Sequence, residues 1–131
     1  MAYLIDTNIA IHAGGKTQSV LQKFWEHEGA IVISVLTLVE LRRGLHRRSE
    51  DRPVRQEQLR LLLEQVPVLP FDKAAADAYG HIIAHCGWVR SRDFDRMIAA
   101  HAISTASILV TNNEADFLDI PGLKIENWAT D

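Results

Sequence analysis

Short runs of apolar, mostly β-branched residues alternate along this chain with longer stretches in which apolar residues recur every three or four positions. That alternation restricts its fold more than any other feature. Tyr3 to Ile5, Ile31 to Ser34, Val66 to Leu69 and Ile108 to Val110 are too short for helices and suit buried strands, and Lys124 to Glu126 suits a last edge strand. Between them, helical spacing covers Val20 to His27, Leu36 to Arg47 (with Ser34 or Val35 near its start) and Val54 to Gln65. Asp72 is placed to cap a helix running through Ala84, and Asp93 to cap one from Phe94 to Ser104. Arg48 to Pro53 reads as a polar break and Gly87 to Arg92 as a loop. Strands alternating with helices predict an α/β domain with a central, mostly parallel sheet flanked by α-helices. In such sheets ligands bind beyond the carboxyl ends of the strands.

With 131 residues, one domain spanning 1–131 is expected. The apolar fraction of 47% and charged fraction of 24% suit a globular chain. Cys86 is the only cysteine, which excludes an intrachain disulfide and argues against a thiolate zinc site. The longest apolar stretch, Ala30 to Leu41, is broken by Ser34, Thr37 and Glu40 and falls short of the roughly 20 residues a bilayer requires. With no secretory signal visible either, the expectation is a cytoplasmic protein without a membrane partner. A net charge of −3 argues against indiscriminate nucleic-acid binding but not against a nuclease, whose clustered carboxylates would be offset by cations. Basic residues are locally grouped: Arg42, Arg43, His46, Arg47 and Arg48, then Arg90, Arg92 and Arg96.

Four acidic positions are candidates for a site, and three of them, Asp6, Asp95 and Asp116, stand close to element ends. Asp6 closes the first strand; it suits a helix cap or Asx-turn, or a carboxylate presented at a strand end. Glu40 shares a helix face with Arg43 and Arg47, as in a solvated ion-pair stripe. Alternatively it binds metal while the arginines meet a phosphate in two-pronged geometry. Asp95 heads the face carrying Ile98, Ala99 and Ala102, where a charge is costly unless capped, paired or bound to a cation. Asp116 follows Thr111-Asn112-Asn113, as in a polar turn, and Glu114 competes with it for a carboxylate role. Four carboxylates in one pocket need compensation, and magnesium, a hard cation that keeps several waters, supplies it.

At this point the residues resemble a known family. Leu4-Ile5-Asp6-Thr7-Asn8, then Ser34, Thr37, Glu40-Leu41 and Gly44, then Phe94-Asp95-Arg96-Met97-Ile98-Ala99-Ala100-His101-Ala102, follow in the family's order. Val110-Thr111-Asn112-Asn113, Asp116-Phe117, Gly122-Leu123 and Trp128 complete the pattern. The chain resembles PIN-domain ribonucleases, specifically the VapC toxins of type II toxin–antitoxin pairs, over nearly its whole length.

The resemblance implies a central parallel sheet and metal-dependent endoribonuclease activity with Mg²⁺, for which Mn²⁺ can substitute. It also implies inhibition by a VapB-type antitoxin, a homodimer, and a toxin–antitoxin complex that binds operator DNA through the antitoxin. The acidic positions fall on Asp6, Glu40, Asp95 and Asp116, with metal held by Asp6, Asp95 and Asp116. Asn8, Thr111 and Asn113 stand beside the site, and Arg43, Arg47 and Arg92 are placed for phosphate or RNA. Water attack in line would leave a 5′-phosphate and a 3′-hydroxyl.

The chain is similar to enteric members that cut initiator tRNA in the anticodon loop. It departs from them at Asp116, where they carry Glu. It departs again before Asp95, where Gly87-Trp88-Val89-Arg90-Ser91-Arg92 replaces a Gly- and Pro-containing loop. A receiver-like signalling domain, the main rival, requires a lysine after a late strand, where this chain has Thr111-Asn112-Asn113.

Among smaller features, His81, His85 and Cys86 lack a further ligand for zinc and read as helix-surface or partly buried residues. Trp25 and Trp128 read as packing residues. Trp88, in an arginine-flanked loop, suits packing, a dimer contact or stacking on an unpaired base. Val54 to Gln65 suits either core or part of an antitoxin groove.

Overall fold

The structure, a computed structural model, describes residues 1–14, 18–47 and 50–129. In chain order the elements are β1 (Tyr3–Ile5), α1 (Thr7–Gly14), α2 (Gln18–Glu26), β2 (Ile31–Ser34), α3 (Val35–Arg47) and α4 (Arg52–Gln65). They continue with β3 (Val68–Leu69), α5 (Lys73–Cys86), α6 (Asp93–Ser104), β4 (Ile108–Val110) and β5 (Ile125–Glu126). Short 3-10 turns occupy Arg90–Arg92 and Glu114–Phe117. Every strand pairing is parallel, and the order across the sheet is β3-β2-β1-β4-β5.

The strands read as continuous apolar runs because helices cover both faces of the sheet. Ile5, Ile33 and Val110 pack into one core with Ile9, Val20, Phe24, Leu62 and Trp128. Their neighbours Leu4 and Leu109 point the other way, into a second core with Ile82, Ile98, Ala99 and Phe117. The alanines of α6 belong there: Ala99, Ala100 and Ala102 are fully buried, so α6 lies close against its neighbours. Trp128 is buried as expected, whereas Trp25 is 53% exposed and does not serve as a core residue.

Helix starts are set by short polar side chains. Ser34 Oγ accepts from Leu36 N at 3.0 Å and Asp72 Oδ1 from Ala75 N at 3.0 Å. Asp93 departs from its expected role. The 3-10 turn of Arg90–Arg92 runs directly into α6, so Asp93 is already helical and its carboxylate instead accepts from the Tyr79 hydroxyl. The expected break at Arg48 to Pro53 falls partly on Arg48 and Ser49, which lie outside the described residues. The described part is helical from Arg52, with Pro53 in the first turn of α4, where its missing N–H costs nothing.

The chain passes from β1 outward to β2 and β3, then returns through α5 and α6 to β4 on the opposite side of β1. The sheet therefore reverses direction between β1 and β4. A crevice opens beyond the carboxyl ends of those two strands, where Asp6 and Thr111 follow directly in sequence.

Candidate active site

Asp6 leaves β1 at this crevice and caps α1, its Oδ1 accepting from Ile9 N at 2.9 Å. The helix-cap and strand-end readings of Asp6 thus describe one geometry. Sequence periodicity did not reveal α1. Thr7, Asn8, Ile9 and Ile11 have modest helix propensity, and burial of Ile9 and Ala10 holds the helix instead.

Glu40 enters from α3. Its Oε1 accepts the Thr7 hydroxyl at 2.5 Å. Among the described residues no ion pair or hydrogen bond joins it to Arg43 or Arg47, which are exposed, so the ion-pair stripe does not form. Asp95 stands in the first turn of α6, directly before a buried stretch. Asp6, Glu40 and Asp95 face one cavity of about 270 Å³. Thr7, Asn8, Ser91 and Asn113 add polar lining, and Phe94, Ile98 and Phe117 an apolar wall.

Asp116 is not part of that lining, but its charge reaches the site. Burial pushes the Asp95 carboxyl up to about 6, and the negative charges of Asp116, Asp6 and Glu40 add to the rise, against the pull of Arg92. Thr111 is buried beneath; its Oγ1 accepts from Asn113 N at 3.0 Å and fixes the turn that presents Asn113. Glu114 is exposed and is not among the groups bearing on Asp95.

Arg96 does not join the basic group at Arg90 and Arg92. It is 3% exposed and pairs with Asp119 at 3.2 Å. His81 and His85 are exposed, and Cys86 Sγ donates to the Asp119 carbonyl. His101 is buried, its Nδ1 2.7 Å from Ser34 Oγ, and burial pushes its pKa down. Thr7 is the lining residue whose role the sequence reading missed. Its position directly after Asp6, at a strand end, was the available signal.

Among the described residues no three His, Cys, Asp or Glu side chains by themselves form a metal cage. The donor chemistry nevertheless fits a hard cation. Carboxylate oxygens dominate, one carboxyl is raised by burial and then by its neighbours' charge, and magnesium is ordinarily held by one or two carboxylates plus waters.

A five-stranded parallel sheet with carboxylates gathered at its switch point is the architecture of a PIN domain, and the PIN domain family matches residues 3–123: the chain belongs to this family. Within it the similarity is to VapC proteins. The chain is 35% identical to the "tRNA(fMet)-specific endonuclease VapC" of Shigella flexneri, across 98% of this chain and 99% of that protein. Its fold matches DNA-bound VapBC from Salmonella typhimurium (TM-score 0.86, 31% identity, 98% of each chain). It also matches VapBC2 of Rickettsia felis bound to a promoter DNA fragment (TM-score 0.85, 30% identity, 98% of this chain and 99% of that one).

Proposed function

We propose that residues 1–131 form one PIN domain acting as a VapC-type toxin, an endoribonuclease that uses Mg²⁺, or Mn²⁺ in its place, to hydrolyse RNA phosphodiesters. The observation that carries this reading is Asp95, whose carboxyl is raised to about 6 by burial beside Asp116, Asp6 and Glu40. A carboxylate cluster that disfavours its own charge gains most from a divalent cation. Asp6, Asp95 and Asp116 would hold the ion, directly or through water. When bound, it supplies Lewis-acid polarisation of the phosphate and a more acidic water.

The chain's own groups supply the rest. Glu40 accepts a proton from the attacking water while the Thr7 hydroxyl holds its Oε1. Asn8 and Asn113 donate to the substrate backbone at the rim. The cut leaves a 5′-phosphate and a 3′-hydroxyl. Initiator tRNA, cut in the anticodon loop, is the substrate favoured by the name of the Shigella relative. The purified protein is expected to cut this tRNA with Mg²⁺ and not with EDTA, with cut sites read by sequencing 5′ ends. Equal cleavage in EDTA would overturn the metal assignment, and intact tRNA alongside other cut RNAs the substrate.

The partner is a VapB-type antitoxin, as in the VapBC complexes of Salmonella and Rickettsia. Two neighbouring apolar grooves favour a helical segment of it. One lies between Leu41, Leu45 and Leu59, the other between Leu21, Phe24, Trp25 and Leu61. A homodimer that binds operator DNA through the antitoxin, in the cytoplasm, completes the proposal. Among the described residues no helix is long and apolar enough to cross a membrane.

A further inference from the structure

The loop between α5 and α6 carries the exposed aromatic nearest in sequence to the acidic cavity. Gly87 ends α5 with φ 80°, its N–H donating to the Ile83 carbonyl at 2.8 Å. This left-handed turn, which favours glycine, re-aims the chain away from the helix. Arg92 N then donates to the Val89 carbonyl at 3.0 Å and closes the 3-10 turn. The loop is therefore tied at both ends, yet Trp88 stays 59% exposed and Val89 40%. Among the described residues no other ring pairs with Trp88. The loop backbone is held while the indole stays open to solvent, free to meet a partner.

Its surroundings indicate what does. Three residues along, Ser91 lines the acidic cavity, so Trp88 lies within about 10 Å of that residue along the chain. Arg90 is exposed beside it, and the charge of Arg92 acts on Asp95. An exposed aromatic on the same short loop as Arg90, Arg92 and the cavity residue Ser91 matches single-stranded RNA: bases stack on rings and phosphates meet arginines.

We propose that Trp88 is a substrate-positioning residue on which an unpaired base of the RNA stacks, with Arg90 holding an adjacent phosphate, so that the strand enters the acidic cavity. This rests on the ribonuclease reading.

The test compares the metal-loaded protein with W88A, W88F and R90A on a single-stranded oligoribonucleotide containing a cleaved site. W88A is expected to raise KM about tenfold with kcat within twofold, W88F to stay within threefold, and R90A to raise KM and flatten its salt dependence. Oligo(U) should quench tryptophan fluorescence in W25F protein but not in W25F/W88F protein. Unchanged KM in W88A, alongside active wild type, would overturn the inference while leaving the ribonuclease reading intact. So would a fall in oligomeric mass that accounts for the whole loss. Absence of cleavage by wild type, with quenching retained, would instead overturn the ribonuclease reading.

Discussion

Thr7 and Glu40 are 33 residues apart in sequence, yet the threonine hydroxyl donates to the glutamate Oε1 at 2.5 Å. The contact ties α1 to α3 across the mouth of the crevice and leaves Glu40 with a fixed orientation. Thr7→Val, close to isosteric, removes only the donor. Groups that orient the carboxylates of such a site typically contribute 10–100-fold to affinity or activity. Thr7→Val is expected to lower the cleavage rate at saturating Mg²⁺ by about tenfold, and Thr7→Ser to restore it. The check is kcat for RNA cleavage at saturating Mg²⁺, beside circular dichroism to confirm folding.

The raised Asp95 carboxyl makes a pH prediction for metal-free protein. Its folded pKa of about 6 lies above the ordinary aspartate value of 3.8, so the folded state holds this proton more tightly than the unfolded one. Its contribution is therefore most favourable at low pH and declines as pH rises from about 4 to about 6. His101, pushed down by burial, and Asp119, pulled down by its hydrogen bond from Arg96, have the opposite slope, so the difference between variants is the useful quantity. In EDTA, Asp95→Asn is expected to match wild type near pH 4 and to exceed it at pH 7.5. The gain is on the order of 1 kcal/mol after allowance for solvent screening. Mg²⁺ should raise the wild-type melting temperature at pH 7.5 and the Asp95→Asn value much less. Parallel stability curves for the two proteins across that range would contradict the account.

Ser34 meets two demands at once, accepting from Leu36 N and contacting buried His101 Nδ1. Ser34→Ala removes the first-turn bond of α3 and leaves a buried imidazole nitrogen unpaired. A loss of about 2–3 kcal/mol is expected from denaturant unfolding. Because α3 carries Glu40, activity should fall as well.

Arg96 and Asp119 should behave asymmetrically. Arg96 is buried, and its Nε and Nη1 have no partner, whereas the Asp119 side chain is 49% exposed. Removing the acid strands a buried cation; removing the base leaves the acid free to hydrate. Asp119→Ala is expected to cost about 3 kcal/mol and Arg96→Met less, as measured by urea unfolding. Equal losses would count against this reading.

Leu61 and Trp25 are exposed in the second apolar groove, so charge there should barely affect folding. Leu61→Asp is expected to abolish co-purification with the antitoxin while the free toxin still cuts RNA.

Much of this protein was fixed by local sequence. Alternating apolar runs set an α/β domain, and the strand ends at Ile5 and Val110 marked where a site would open. The capping of α5 by Asp72 was readable too, because a cap is a contact between residues three apart. Tertiary structure decided what depends on long-range approach. It set the hydroxyl of Thr7 on Glu40 instead of leaving Glu40 to Arg43 and Arg47. It withdrew Arg96 into the interior with Asp119, turned Asp93 from cap to partner of Tyr79, and left Trp25 in a groove. Periodicity reports which face of an element is apolar; it carries no information about which charge or hydroxyl another element brings to that face, and the chemistry of this crevice is made of such encounters.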